Sequence, residues 1–134
     1  MSYATSMLRA DPRSSELGDP SALADCIEAC LECSQACTSC AESCLSEPEV
    51  AALSDCIRLA LDCADVSSAA AKVLSRHSRY DGNLRRALLA ATRAASSLAA
   101  EACEADAEGY AHCRVCAEAC RRCEAACVRL LESL

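Results

Sequence analysis

The sequence contains no tryptophan and no phenylalanine, and three tyrosines are its only aromatic residues. Large rings therefore cannot fill its core, although 53% of its 134 residues are hydrophobic. Most of these hydrophobic residues are alanine, leucine or cysteine, and fourteen are cysteine. We expect one compact domain at this length, with cysteine side chains inside it.

Long apolar runs are also absent, because charged residues interrupt every window of about twenty residues that could span a bilayer. The segment 1–12 contains Arg9 and Asp11 and lacks the apolar core of a signal peptide. The formal net charge of −7 disfavours binding to a polyanion such as nucleic acid. We therefore expect a soluble, cytoplasmic protein that has neither nucleic acid nor a membrane as its partner.

Glycine and proline occur only three times each, and all but Pro12 lie at or beside a break in the helical pattern. Asp19 is the predicted N-cap of a first helix, Ser46 begins a predicted capping box, and Asp81 precedes a third helix. The four predicted helices span about 20–46, 48–76, 82–106 and 110–134. Their short connections predict an all-α, antiparallel up-down-up-down four-helix bundle over 19–134, with 1–18 as an N-terminal extension that has room for a short helix.

The cysteines follow the spacing of buried positions on a helix. The first predicted helix has six, separated alternately by four and three residues, which is an uninterrupted heptad seam. The fourth predicted helix repeats this spacing with five, and the second and third helices add two and one. The sequence therefore predicts that all fourteen thiols face one core: Cys26, Cys30, Cys33, Cys37, Cys40, Cys44, Cys56, Cys63, Cys103, Cys113, Cys116, Cys120, Cys123 and Cys127.

Two interpretations of this seam involve no metal. One is a plain apolar stripe, since cysteine is commonly buried, but leucine fills such positions better and does not oxidise. The other is a ladder of disulfides, but mid-helix backbone seldom reaches disulfide geometry and a reducing cytoplasm opposes it. We therefore interpret the seam as a metal-binding site.

Softness, geometry and charge favour Cu(I) among the metals that thiolates bind. Zinc requires four thiolates that converge tetrahedrally, which a straight seam is not expected to supply, and iron–sulfur motifs have a different spacing in a loop. Monovalent copper bridged by sulfurs brings the charge per thiolate close to zero, so that little charge is buried. A zinc or cadmium buffer and a thiol redox protein are the alternative functions.

The ladders Cys26–Cys44 and Cys113–Cys127, with Cys56, Cys63 and Cys103 between them, resemble those of the bacterial copper storage proteins over about residues 19–134. The resemblance implies a four-helix bundle whose core cysteines hold multiple Cu(I) ions per chain and which is not an enzyme. Without a recognisable leader, the chain looks like the cytosolic members of that family. This likeness implies a homotetramer and, as a partner, a copper donor or acceptor protein.

The predicted topology gathers Cys44, Cys56, Cys103 and Cys113 at one end of the bundle, which we call the mouth and at which we expect copper to enter. His112 precedes Cys113 there, and the family resemblance implies that it is an entrance ligand; an exposed first-turn histidine is the alternative. His77 falls on the seam at the opposite, closed end and is predicted to be a polar residue at a helix C-terminus. Leucines are predicted to plug the closed end: Leu23, Leu74, Leu84, Leu88, Leu130 and Leu134.

Charge differs between the two ends as well. The third predicted helix has Arg85 and Arg86 at its N-terminus and acids at its C-terminus, which opposes its own dipole. We hypothesise that an acidic mouth attracts cations, so that reversing acids there slows copper uptake. The predicted mouth acids are Glu42, Glu47, Glu49, Asp55, Glu101, Glu104, Asp106 and Glu108.

Overall fold

The computed structural model describes residues 2–16, 20–77 and 82–134. These ranges contain helices and turns and no strand, which confirms the prediction of an all-α fold. Two short 3₁₀ turns lie at Ser14–Glu16 and Val50–Leu53. The α-helices are α1 (Tyr3–Ala10), α2 (Ser21–Leu45), α3 (Ser54–Ser75), α4 (Gly82–Ala105) and α5 (Ala111–Glu132).

Helices α2 to α5 form the predicted four-helix bundle. Helix α2 packs against α3 and α5, and α4 packs against the same two helices. Cys26 near the start of α2 contacts Cys127 near the end of α5, whereas Cys44 at the end of α2 contacts Cys113 at the start of α5. Neighbouring helices therefore run antiparallel, as short connections require.

The connection between α2 and α3 differs from its prediction. Ser46 does not begin a capping box: it is the C-cap residue of α2, and its hydroxyl donates a hydrogen bond to the Glu42 carbonyl one turn earlier. Helix α3 consequently begins at Ser54 rather than near Pro48, after the 3₁₀ turn. The predicted N-cap Asp19 and the turn residue Asp81 lie outside the described residues.

The core is lined with sulfur along most of its length. All fourteen cysteines are buried, and none has more than 2% of its surface exposed. On α3 and α4, the seam continues through buried small residues such as Ser67, Ala70, Thr92 and Ser96. The heptad spacing therefore placed every thiol correctly, because a repeat of three and four residues keeps one stripe of a helix facing its neighbours.

Fewer leucines than predicted seal the closed end. Leu23, Leu74 and Leu130 are buried, and Leu88 is half-buried against the core. The prediction is wrong for Leu84 and Leu134, which are 59% and 44% exposed: Leu84 is out of register with the buried stripe of α4, and Leu134 follows the end of α5.

The segment before the bundle also belongs to the closed end. Leu8 of α1 is buried in the common core, and α1 packs against α2. After α1, the Asp11 carboxylate accepts a hydrogen bond of 3.0 Å from Nδ1 of His77, and the Arg13 guanidinium lies 3.4 Å from the backbone carbonyls of Arg76 and His77. This segment therefore binds the last carbonyls of α3, which a helix leaves without partners of its own.

His77 lies at a helix C-terminus, as predicted, but its side chain is buried rather than solvated. His77 follows the last turn of α3 in a left-handed backbone conformation, with a φ of 55°. Its N–H donates a hydrogen bond to the Leu74 carbonyl, and this arrangement ends the helix. Its hydrogen bond to Asp11 was not foreseen, because the two residues are 66 positions apart.

Among the described helices, none combines the length and the apolarity that a bilayer crossing requires.

Candidate metal centre

The thiols form four groups whose sulfur atoms are close enough to share a metal ion. Within each group all sulfurs lie within 4.8 Å of one another, and every member is buried. From the mouth inward, the groups are Cys40, Cys44, Cys56 and Cys113; Cys40, Cys103 and Cys116; Cys33, Cys37, Cys63 and Cys120; and Cys26, Cys30 and Cys127.

The third of these groups combines thiols from three helices. Its sulfur atoms are 3.4 Å apart for Cys33 and Cys63, 3.4 Å for Cys37 and Cys120, and 3.8 Å for Cys33 and Cys37. A tetrahedral zinc site with Zn–S bonds of about 2.3 Å has sulfurs about 3.8 Å apart. Although a straight seam is expected to suit zinc poorly, four thiols do converge here, because α2, α3 and α5 approach this point from three sides. Sulfur spacing alone does not separate zinc from Cu(I).

The groups join into one ladder. Sulfurs of Cys37 and Cys116 lie 3.7 Å apart and connect the third group with the second. Cys40 belongs to both groups nearest the mouth. Toward the closed end, Cys30 and Cys123 are 3.9 Å apart and Cys123 is the one thiol that belongs to none of the four groups. A metal ion bound at one level therefore has thiols of the next level beside it.

His112 meets the ladder at the mouth. It lies in the first turn of α5, and its Nδ1 is 3.6 Å from the Cys40 sulfur, 3.6 Å from that of Cys113 and 3.8 Å from that of Cys44. Its Nε2 is 3.3 Å from Oε1 of Glu47, and 23% of its side chain is exposed. The structure thus brings His112 to the predicted position, with one ring nitrogen facing thiols and the other facing a carboxylate.

Burial and mutual contact control the charge of the thiols. Burial raises the pKa of the Cys113 thiol to about 11. Deeper in the bundle, hydrogen bonds, first from Cys120, lower the pKa of Cys63, and the pKa of Cys120 is raised in turn, first by its contact with Cys116. One thiolate is therefore stabilised only where its neighbours keep their protons. A soft cation that replaces those protons removes this restriction.

Some of the predicted mouth acids already have partners. The Tyr110 hydroxyl donates a hydrogen bond of 2.5 Å to Glu49, which raises the pKa of Tyr110 to about 12. The Arg121 guanidinium makes bonds of 2.7 and 2.9 Å to Glu104 and lowers the pKa of that carboxyl. Glu104 therefore adds less negative potential at the mouth than its position in the sequence suggested.

The sequence did not predict the contact between Glu47 and His112. The sequence counted it only as one of several acids near the mouth. Its position three residues after Cys44 was the available signal, because a turn that ends a helix keeps the following residues beside its last turn. The backbone N–H of Glu47 donates to the Cys44 carbonyl over 3.2 Å.

Comparison with known proteins identifies relatives with the same architecture. A family model described as copper storage protein matches residues 19–132. The solved structure of the copper storage protein Ccsp from Streptomyces lividans, loaded with 10 copper equivalents, is 51% identical with a TM-score of 0.93, and the match covers 98% of this chain and 99% of that one. No curated protein sequence matches.

Two further structures show the same cytosolic copper storage protein from Streptomyces lividans in other states. One, loaded with five coppers, is 55% identical with a TM-score of 0.83, over 85% of this chain and 95% of that one. The other carries alanine in place of two histidines four positions apart, with 55% identity, a TM-score of 0.84, and coverage of 87% and 98%. The two histidines of this chain, His77 and His112, are not spaced in that way.

The matched residues 19–132 span helices α2 to α5, and the comparisons confirm both the predicted fold and the predicted resemblance. An identity above one half over nearly the full length of both chains supports more than a shared fold. The chain belongs to the copper storage protein family.

Proposed function

We propose that this protein stores Cu(I) on the thiol ladder of its core and catalyses no reaction. The continuous run of fourteen buried thiols, in a chain of the copper storage family, carries this proposal. A relative of similar length holds 10 copper equivalents, which supports a capacity of several ions per chain. That relative is a cytosolic copper storage protein, which supports the cytosol as the place of storage.

The proposed ligands are the fourteen cysteines, joined by His112 at the mouth. Each thiol gives up its proton as it binds, so that Cu⁺ replaces H⁺ and the core gains little net charge. Soft thiolate favours monovalent copper, and a sulfur that bridges two ions serves the ladder at two levels. Copper enters at the mouth, since leucines and the segment after α1 cover the other end.

An anaerobic titration tests this function. The apo protein competes with a Cu(I)-specific chelator, and the same protein is then titrated with Zn(II). We expect several Cu(I) ions per chain to bind before the chelator does. A single tight Cu(I) ion, or a preference for zinc under equal conditions, would overturn the proposal.

A capacity variant sharpens this titration. Replacing Cys33, Cys63 and Cys120 by alanine removes three thiols of one group and leaves the mouth intact. We expect fewer Cu(I) ions per chain with unchanged helical circular dichroism, since alanine already fills much of this core. An unchanged copper capacity would mean that these thiols are not ligands.

We further propose that the protein is a homo-oligomer that pairs through the outer face of α4. This face carries an exposed stripe with heptad spacing and small residues at its centre, which lets two helices approach closely. Its ends, Leu84 and Leu98, are 59% and 51% exposed. The stripe consists of Leu84, Ala87, Ala91, Ala94 and Leu98.

The charges beside the stripe favour a second copy of the same chain. Arg86 and Arg93 lie on the first half of α4, and Glu101 lies near its end. A two-fold axis perpendicular to α4 makes an antiparallel pair, which brings the basic half of one helix toward the acidic end of the other. Light scattering tests this: Ala91→Glu should yield smaller particles, whereas Leu31→Glu on the outside of α2 should not. An oligomer unchanged by Ala91→Glu would exclude this face.

A further inference from the structure

The carboxylate that faces His112 has a role of its own, an inference that rests on the proposed storage function. We propose that Glu47 is a positioning residue, which holds the proton of His112 on Nε2 and thereby presents the Nδ1 lone pair to the thiols of the mouth. No relative described above assigns such a role to this position.

The hydrogen bond determines the tautomer. A neutral imidazole has one nitrogen that donates and one that accepts, and an ionised carboxylate only accepts. Nε2 of His112 lies 3.3 Å from Oε1 of Glu47, so the favourable arrangement has the proton on Nε2. Nδ1 then keeps its lone pair, which is the form of histidine that binds a metal ion.

The other side of the ring shows where this lone pair points. Nδ1 of His112 lies 3.6 to 3.8 Å from the sulfurs of Cys40, Cys44 and Cys113. The sulfurs of Cys44 and Cys113 are themselves 3.9 Å apart. The nitrogen is therefore spaced from these thiols as they are from one another, and it completes the outermost donor group with a ligand that need not lose a proton.

Local structure holds Glu47 where this contact needs it. The hydrogen bond from its N–H to the Cys44 carbonyl ties it to the last turn of α2. Two residues on, Glu49 binds the Tyr110 hydroxyl, and the Tyr110 ring lies 5.7 Å from that of His112. The turn after α2 is thus attached to the start of α5, and the orientation of His112 depends on both.

Carboxylate partners of metal-binding histidines commonly contribute about 10–100-fold to metal affinity or activity. At the mouth, the affected step is the capture of copper from a donor, because ions that have moved inward bind thiols only. Loss of Glu47 should therefore slow copper loading and leave the capacity of the inner groups unchanged.

The first test reads the tautomer directly in the apo protein. The protein is labelled with ¹⁵N-histidine and its two imidazoles are compared by NMR at about pH 8.5, where a histidine of ordinary pKa is neutral. We expect His112 to carry its proton on Nε2, Glu47→Ala to populate both tautomers, and Glu47→Gln to keep part of the preference through its amide oxygen. Glu42→Ala, which removes an exposed acid from the last turn of α2, is the matched control and should leave the His112 signals in place. Equal tautomer populations with and without Glu47 would overturn the proposal.

The second test measures copper loading from a Cu(I)–chelator complex by stopped flow. Glu47→Ala should load about 10–100-fold more slowly than wild type, and His112→Ala should be slowed to a similar extent. The double variant should be no slower than His112→Ala alone, since Glu47 acts through His112. A further slowing in the double variant would show that Glu47 acts by charge and would overturn the positioning role. Final copper capacity is measured in the same samples: if wild type holds one ion only, the storage function fails, whatever the tautomer.

Discussion

The mouth and the closed end of the bundle each contain one histidine bound to a carboxylate, but the two pairs have different surroundings. At the mouth, His112 binds Glu47 through Nε2 and turns Nδ1 toward three thiols. At the closed end, His77 binds Asp11 through Nδ1, and 7% of its side chain is exposed. The surroundings of the two pairs therefore differ: three thiols face the ring of His112, whereas His77 joins the segment after α1 to the end of α3.

Leu74→Ala should produce the largest effect, and it tests whether the closed end serves stability rather than copper. Leu74 is buried at this end, so its truncation should lower the free energy of unfolding of the apo protein by about 2–5 kcal/mol. The copper capacity of the folded variant should not change. Urea denaturation measures the first quantity and chelator competition the second.

Leu31→Ala is the control for that measurement, since Leu31 is 55% exposed and its truncation should cost less than about 0.5 kcal/mol. Equal effects at the two positions would mean that the leucines of the closed end do not seal it.

Exchanging the two histidines for alanine compares the ends directly. His77→Ala removes one hydrogen bond of the Asp11 carboxylate, which keeps its bonds to Arg13, and should lower the free energy of unfolding by about 1–3 kcal/mol, with normal copper loading. His112→Ala should slow copper loading and change stability little, since the mouth is open to water. Denaturation measures the stability of both variants, and stopped-flow mixing measures their rates of copper loading. Similar behaviour of the two variants in both measurements would remove the distinction between the ends.

The closed-end pair should also respond to pH. Hydrogen bonds, first from Arg13 and then from His77, lower the pKa of the Asp11 carboxyl in the folded protein. The ionised carboxylate therefore stabilises the fold above the unfolded-state pKa of about 4, and this contribution is lost as the pH falls below that value. Thermal melting should show Asp11→Asn less stable than wild type at pH 7 and the difference shrinking below about pH 4. A difference that grows on acidification would contradict this linkage.

Charge reversal at the mouth should have the smallest effect. Glu101→Lys combined with Asp106→Lys should slow uptake of a cationic Cu(I)–acetonitrile complex a few-fold at low salt, because exposed charges act mainly on the rate of encounter. Glu104 is left unchanged, since Arg121 already pairs with it. Glu132→Lys at the closed end is the control. Uptake rates that do not depend on salt in any of these proteins would refute the acidic-mouth hypothesis.

Periodicity predicted most of the core, and its failures have local causes. The heptad spacing identified every buried thiol, and on α4 the buried stripe follows the same spacing from Leu89 to Cys103. The prediction that Leu84 belongs to the plug rests on its place near the closed end and not on the spacing, and Leu84 lies outside the buried stripe of α4. The capping motif at Ser46 competed with an equally local alternative, a hydroxyl bond back into α2, and only the packing of α3 decides between them.

The choice of Cu(I) over zinc rests on ligand softness and charge as well as on the spacing of the cysteines. Four thiols of three helices converge in the middle of the bundle, so the expected geometric argument against zinc does not hold there. Softness and charge balance still favour Cu(I), and family membership supports it independently.

Heptad spacing and short connections are sufficient to place fourteen thiols along the axis of an antiparallel bundle, because both act through neighbouring residues. Helix packing sets which thiols share a group, since sulfur separations of 3.1 to 4.0 Å depend on the rotation and register of whole helices. It also decided the pairs His112–Glu47 and His77–Asp11, whose members are 65 and 66 positions apart. Contacts over such separations arise only when distant segments pack together.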